Sequence, residues 1–165
     1  MGIARIFHHL IVEGSARRRF PPHVLDAIQQ AIAAGERTHA GQVCCAIEGA
    51  LPLAELWRGR TPRQRAEELF ARLRVWDTER NSGVLIYVLL ADRAIEIVAD
   101  RGIAAKVQES AWKSICAQMQ KAFADGAFQR GAVEGVAAAC ALLAQHFPDG
   151  GQATRNELPD RPVVL

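Results

Sequence analysis

Three oxygen-bearing side chains, Asp77, Asn81 and Asp100, flank predicted strands in this sequence. Asp77 and Asn81 precede the apolar run at 83–90, and Asp100 follows the apolar run at 94–99. If these two runs pair as a hairpin, all three side chains fall at one end of the sheet. Carboxylate and amide oxygens are the ligands that Ca²⁺ and Mg²⁺ prefer. The sequence therefore predicts a divalent-cation site here, although the same residue types also cap helices and stabilise turns, and that alternative stays open.

Ser82 and Arg101 lie in the same two loops and are the other candidate binding residues, beside Asn81. A bound cation positions a phosphate group and polarises its oxygens, and an arginine stabilises the charge that develops there. These residue types therefore allow metal-assisted hydrolysis of a phosphomonoester. The sequence contains no phosphate-binding glycine loop, nucleophile elbow or zinc-binding helix motif. It predicts no catalytic residue, and His39, which would make an acid–base pair with Asp77, is interpreted as a surface histidine.

The composition fits one domain and excludes several classes of protein. The chain has 165 residues, of which 50% are hydrophobic and 23% charged, so it can build a core. Its formal net charge of +2 is too small to indicate a nucleic-acid partner. The four cysteines lie inside apolar runs without a CxxC pair, which predicts small buried side chains rather than a disulfide or a zinc site. No organic cofactor is predicted.

The pattern of apolar residues defines the elements that must position these side chains. Apolar residues at helical spacing alternate with short apolar runs bounded by Gly and Asp. The predicted helices cover about 22–38, 62–73, 107–125 and 129–146, and the predicted strands cover 42–48, 83–90 and 94–99. A helix between the first two strands predicts a parallel crossover, and the turn at 91–93 predicts a hairpin. The expected fold is α/β: a three-layer α/β/α sandwich on a small mixed sheet with a central hairpin.

Both ends of the chain differ from this domain, which we assign to residues 21–148. Residues 1–20 form a predicted amphipathic, basic arm, and residues 149–165 form a predicted irregular tail. Within 3–19, apolar side chains precede three arginines (Arg17–Arg19), a pattern typical of peripheral contact with anionic lipid. A mobile arm or an amphipathic helix packed on the domain is the favoured alternative. The stretch is too short for a membrane span, and we expect a cytoplasmic location, peripheral at the inner membrane.

Two segments of the sequence resemble the TPM family. The first is NSGVLI at 81–86 followed by ADRAIEIVADRGI at 91–103. The second is a pattern of aromatic residues and glycines that resembles the family's F..G.F..G...G segment: Phe123, Gly126, Phe128, Gly131 and Gly135. The resemblance covers roughly residues 22–147. The family is shared by thylakoid-lumen phosphatase-like proteins, photosystem II repair proteins and many bacterial membrane-associated proteins.

The resemblance implies an α/β/α sandwich and, because it has been proposed for some relatives, divalent-cation binding or weak acid-phosphatase activity. Asn81 and Gly83 match the family's NG pair, with Ser82 inserted between them. The turn at 100–102 replaces a glycine-rich turn, and Ala127 stands where many relatives have Asp. Relatives usually carry a secretion signal or a membrane span. This sequence has neither pattern in its first residues.

Two functions of different classes fit the sequence. The first is a non-catalytic module that binds a membrane-associated partner protein, because the chain combines an amphipathic basic arm with no catalytic motif. The alternative is an acid-phosphatase-like phosphomonoester hydrolase that uses Ca²⁺ or Mg²⁺ at Asp77, Asn81 and Asp100. Cation binding for stability alone is compatible with either function.

Overall fold

A computed structural model describes residues 3–148 and 156–165 of the chain. The helices are α1 (Ile3–Val12), α2 (Ser15–Arg19), α3 (Pro22–Gly35), α4 (Leu53–Trp57), α5 (Pro62–Arg72), α6 (Arg101–Ala104), α7 (Glu109–Ala124) and α8 (Phe128–His146). The strands are β1 (Gln42–Glu48), β2 (Gly83–Leu89), β3 (Ala94–Ala99) and β4 (Val163–Val164). Within the described residues, no helix combines the length and the hydropathy needed to cross a bilayer.

The four strands form one mixed sheet in the order β3-β2-β1-β4. β1 and β2 are parallel, with Gln42 opposite Gly83 and Glu48 opposite Leu89. β2 and β3 form the predicted antiparallel hairpin, in which β2 is an inner strand and β3 an edge strand. All seven residues of both β1 and β2 are buried, and their predominantly apolar sequences are typical of strands covered on two faces.

Two hydrophobic clusters lie on opposite faces of the sheet and confirm the three-layer sandwich. Alternate residues of β1 point to each face, so that Cys45 belongs to the larger cluster and Cys44 to the smaller. The larger cluster packs against α3, α7 and α8. The smaller cluster packs against α4 and α5, through Leu56 and Leu69.

The glycines of the second resembling segment let helices α7 and α8 approach closely. Gly126 follows α7 with a φ of 77°, the left-handed conformation that commonly ends a helix. A Cβ atom on Gly135 would overlap the side chain of Met119 on α7. Phe123 and Phe128 at the same junction pack against Phe20 with ring centroids 5.8 Å away in both cases.

The two ends of the chain are more ordered than the sequence indicates. The predicted arm folds into α1 and α2, and Val12, Ala16 and Phe20 are buried in the larger cluster. This is the packed alternative, not a mobile arm. In the predicted irregular tail, β4 pairs in parallel with β1, and Leu158 is buried. Residues 149–155 of that tail lie outside the described residues.

Candidate functional site

Asp100 is the predicted cation ligand with the most suitable environment. It lies between β3 and α6, where its Oδ1 accepts a hydrogen bond of 2.7 Å from the backbone N–H of Arg101 and so caps the short helix. Only 8% of the residue is exposed, and its Oδ2 is buried with no hydrogen-bond partner among the described residues. A buried carboxylate oxygen without a donor is costly, and a bound cation would satisfy it.

Asn81 and Arg101 do meet, but they bind each other. The amide Oδ1 of Asn81 accepts hydrogen bonds from Nη2 and Nε of Arg101, at 2.9 and 3.2 Å. Asn81 has a φ of 50°, which asparagine tolerates better than most residues. Because a guanidinium already occupies the amide oxygen, a cation at Asn81 would have to displace a positive charge.

Ser82 is fully engaged in holding the start of β2 in place. Its hydroxyl donates to the carbonyl of Ala40 at 3.2 Å, and its N–H donates to Oγ1 of Thr78 at 2.9 Å. The next residue, Gly83, lies so close to Val75 that a Cβ atom would clash with the Val75 carbonyl. These contacts give the NSG segment a structural role: it joins the loop before β2 to the start of β1.

Asp77 lies on the surface and contacts a different set of residues. Its side chain is 53% exposed and has Arg74 as an ion-pair partner at 3.7 Å. It also lines an open cavity together with Glu79, Asn156 and Glu157. Within residues 3–148 and 156–165, no group of three or more His, Cys, Asp or Glu side chains could hold a metal ion.

His39 is not the surface histidine that the sequence suggested. It is completely buried, and its Nδ1 accepts a hydrogen bond of 3.2 Å from the backbone N–H of Gly41. The isolated bridge between His39 and Pro148 fixes this loop to the end of α8. A neutral imidazole offers one hydrogen-bond donor and one acceptor, and here the acceptor nitrogen takes the Gly41 N–H.

The cysteines are all free, as predicted, and they are unreactive packing groups. Burial raises the pKa of Cys44 and Cys116 to about 11, and that of Cys140 to about 12. The pKa of Cys45, which is entirely enclosed, is raised further. The thiolate is the nucleophilic form of cysteine, and these thiols remain protonated at neutral pH.

The opposite end of the sheet holds a buried charged network that the sequence did not reveal. Glu48, at the end of β1, accepts hydrogen bonds from Nη2 and Nε of Arg65 at 2.8 and 3.0 Å. The hydroxyl of Tyr87 on β2 donates to the same carboxylate at 2.6 Å. The hydrogen bond to Glu48 raises the pKa of Arg65, whereas burial and then the adjacent Glu48 charge raise the pKa of Tyr87. Arg65 therefore stays charged and the Tyr87 hydroxyl keeps its proton, so the network serves as a structural link between β1, β2 and α5.

A second network fastens α1 to the turn of the hairpin. Nε and Nη2 of Arg5 donate to the two carboxylate oxygens of Asp92, at 2.9 and 2.7 Å. His9 is 1% exposed, and its Nδ1 accepts from the backbone N–H of Leu51 at 3.0 Å. The proton of a neutral His9 is therefore on Nε2, which lies 3.0 Å from Asp92 and donates to it. These bonds set the orientation of α1 on the domain.

The outer face of α1 is apolar and uncovered within the described residues. Phe7 is 65% exposed, Leu10 54% and Ile11 66%, and their spacing places them on one face of the helix. Leu10 also lines a cleft of about 340 Å³ that includes the half-exposed Leu53 of α4 and Leu165. We call this surface the α1 face. Contiguous apolar side chains of this size on a protein surface are typical of an interaction site.

Comparison with known proteins agrees with the fold. The TPM domain family matches residues 20–142, about three quarters of the chain. The chain belongs to the TPM domain family. The TPM match ends close to the last turn of α8 and begins at Phe20, so it excludes α1. Among curated proteins, none matches the chain.

Two solved structures are similar to this TPM chain. The NMR structure of the BA42 protein from the psychrophilic bacterium Bizionia argentinensis is 28% identical, with a TM-score of 0.74 over 87% of this chain and 93% of that chain. The N-terminal domain of a protein from P. gingivalis is 16% identical, with a TM-score of 0.61 over 76% of this chain and 77% of that chain. The second likeness shows the fold alone.

Proposed function

We propose that this TPM chain is a non-catalytic module that binds a membrane-associated partner protein through the α1 face. The observation that carries this proposal is the exposure of Phe7, Leu10 and Ile11 on a helix whose inner side is fixed by buried hydrogen bonds. Because α1 is held in one orientation, its apolar face is preformed, and binding does not have to order it. We expect the module to act in the cytoplasm, at the inner membrane.

The chemistry of the α1 face indicates what the partner presents. The three apolar side chains suit an amphipathic segment whose own apolar residues enter the cleft beside Leu10. Arg17 and Arg18 on α2 are exposed close behind α1 in the chain. Their charge favours acidic residues at the border of the partner's apolar stripe, which would raise the association rate and make it depend on salt.

The test compares two variants that remove exposed apolar side chains from different places. The double variant Phe7→Ser/Ile11→Ser removes the α1 face, and Trp76→Ser removes an aromatic side chain that is 49% exposed near the other end of the sheet. A partner captured by the wild-type chain is purified, and its Kd is measured by calorimetry. We expect the double variant to weaken binding at least about tenfold, because buried apolar anchors dominate interfaces, and Trp76→Ser to leave it unchanged.

Two results would overturn this proposal. The first is a partner whose Kd is the same for the wild type and for Phe7→Ser/Ile11→Ser. The second is binding of the chain to vesicles of phosphatidylcholine and phosphatidylglycerol, in about a 3:1 ratio, that is lost in Phe7→Ser/Ile11→Ser, together with no protein partner whose binding is lost in that variant. In that second case the α1 face would be a lipid contact.

A second candidate is binding of Ca²⁺ or Mg²⁺ at the Asp100 end, which the unpartnered Oδ2 of Asp100 favours. The other predicted ligands fit less well, because Asn81 binds Arg101 and Asp77 pairs with Arg74. We therefore expect any cation to depend on Asp100. Addition of Ca²⁺ or Mg²⁺ to metal-stripped protein should then shift amide NMR signals at 77–83 and 100–102.

Variants separate this cation site from the three-ligand site expected from the sequence. Asp100→Asn keeps the oxygen that caps α6 and removes the charge, so it should abolish the shifts, whereas Asp77→Asn should leave them intact. Loss of the shifts in both variants would support the three-ligand site, and no shifts in the wild type at millimolar metal would exclude both cation sites.

Phosphomonoester hydrolysis would require this cation together with Arg101. Turnover of p-nitrophenyl phosphate that survives Asp100→Ala would rule that reaction out at this site.

A further inference from the structure

A cavity of about 360 Å³ opens beside the turn of the hairpin, on the side of the sheet that α7 covers. Its apolar surface comes from the hairpin, through Val88, Leu90 and Ile95, and from the rings of Phe123 and Phe128. The three hairpin residues belong to the larger hydrophobic cluster, so the cavity is an extension of the core to the surface. A volume of this size is within the range of small-molecule sites, about 300–1,000 Å³.

The charged residues that line this cavity are both arginines, Arg19 and Arg93. Arg19, at the end of α2, holds its guanidinium 5.2 Å from the centroid of the Phe128 ring. Among the described residues, no carboxylate lies within ion-pair distance of either guanidinium. Most other arginines near the sheet ends are paired with acids, as Arg5 is with Asp92 and Arg65 with Glu48. Two unpaired guanidiniums on an apolar cavity are complementary to an anion with an apolar body.

The backbone at Arg93 adds a second observation. Arg93 has a φ of 52° in the last position of the hairpin turn, a conformation in which glycine is favoured. Its carbonyl accepts a hydrogen bond from Nε2 of Gln120 on α7, which fixes the turn against the wall of the cavity. The turn therefore carries a long cationic side chain where glycine would be easier to accommodate.

We propose that this cavity binds a small monoanion with an apolar body, of the medium-chain carboxylate class. The alkyl chain contacts the hairpin and the two phenylalanine rings, and the carboxylate pairs with Arg19 and Arg93. The Phe128 ring restricts Arg19 before the ligand arrives, which lowers the entropy cost of the ion pair. This site is separate from the α1 face and from Asp100.

The probe is octanoate, titrated into the full chain and followed by amide NMR at neutral pH. Octylammonium also has eight carbon atoms but carries the opposite charge, and inorganic phosphate supplies an anion without an alkyl chain. We expect saturable shifts at 88–95 and 120–128 with octanoate, and at least about tenfold weaker binding of both controls, since each lacks one half of the complementarity. Equal binding of octylammonium would overturn the anion specificity. Equal binding of phosphate would overturn the need for an apolar body.

Three variants and one control, Arg18→Gln, test the assigned site. Glycine adopts the positive φ of position 93 more easily than arginine does, so the melting temperature of Arg93→Gly should equal or exceed that of the wild type. Its affinity for octanoate should fall about tenfold. Arg19→Gln should weaken octanoate similarly, whereas Arg18→Gln, with the same change in net charge on an exposed neighbour, should not. Ala124→Leu fills the cavity and leaves both arginines in place, so it should also abolish binding. If Arg18→Gln acts as strongly as Arg19→Gln, or if Ala124→Leu has no effect, octanoate binds the surface charge and the proposal is wrong.

Discussion

Replacement of Arg65 by methionine should destabilise the protein far more than loss of any exposed arginine on the same helix. The Arg65 and Glu48 side chains are only 8% and 5% exposed, so water screens their attraction little. Methionine retains most of the apolar volume but removes both hydrogen bonds to Glu48, at 2.8 and 3.0 Å. The carboxylate would keep the Tyr87 hydroxyl and lose its counter-ion. Breaking a buried pair in this way costs about 3–5 kcal/mol, a drop in Tm of roughly 6–20 °C for a chain of this size.

The assay is urea unfolding of Arg65→Met, with Arg72→Met as the matched control. Arg72 is also on α5, but it is 63% exposed and lies 3.6 Å from Glu68, so its loss should cost at most about 0.5–1 kcal/mol. Adding Glu48→Gln to Arg65→Met should recover much of the stability, because a buried amide needs no counter-ion. If Arg65→Met costs no more than Arg72→Met, or if Glu48→Gln adds a further loss of similar size, the network does not hold β1 to α5 as described.

Three other changes test the electrostatics and packing of the same fold. Burial raises the pKa of Asp92, but hydrogen bonds from Arg5 and His9 outweigh this effect, so the pKa in the folded protein is lowered. The stabilisation from ionised Asp92 is therefore present above about pH 4 and is lost as the pH falls through the lowered folded pKa. Hydrogen exchange of residues 3–12 should accelerate at that low pH, and also in Asp92→Asn at pH 7. Burial raises the pKa of Glu36 from 4.5 to about 7, so the stability of the protein should fall as pH rises across that interval. In thermal unfolding, Glu36→Gln should be more stable than wild type by about 1–2 kcal/mol at pH 8 and equal to it at pH 4. Gly83→Ala should cost about 2 kcal/mol or more in urea unfolding, because its Cβ would overlap the Val75 carbonyl.

The main elements were predictable because their signals are local. β1 and β2 are apolar runs preceded by turns, and their residues are buried without exception, so pattern and structure agree. α5 begins at Pro62, where the sequence predicts the start of a helix, and Thr61 caps it. The short elements were not predictable in this way. β4 has two residues and depends on pairing with β1, including the Leu165 N–H to Ile47 carbonyl bond, which no local pattern encodes.

The buried charges are not predictable from the sequence for a related reason. Arg65 has charged neighbours on α5, a pattern typical of a solvated face, but it lies four residues before the buried Leu69 and therefore shares its side of the helix. That spacing, together with a glutamate at the end of an otherwise apolar strand, was the available signal. His9 is harder to recognise, since its partners Leu51 and Asp92 are distant in the chain. The sequence correctly predicts that the loops of Asn81 and Arg101 lie at one end of the sheet. In the structure these two side chains bind each other.

Two neighbouring charges at the hairpin end of the sheet, Asp92 and Arg93, are used differently, and this difference can be tested. At the hairpin end, Asp92 satisfies Arg5 and orders α1, while the adjacent Arg93 has no acid and lines the cavity. Asp92→Asn should therefore loosen the α1 face and weaken partner binding, yet leave octanoate binding within about twofold, because neither lining arginine loses a partner. If both activities fall together, α1 and the cavity form one site. If neither changes, the α1 face does not need an ordered helix, and preformed docking is the wrong account of it.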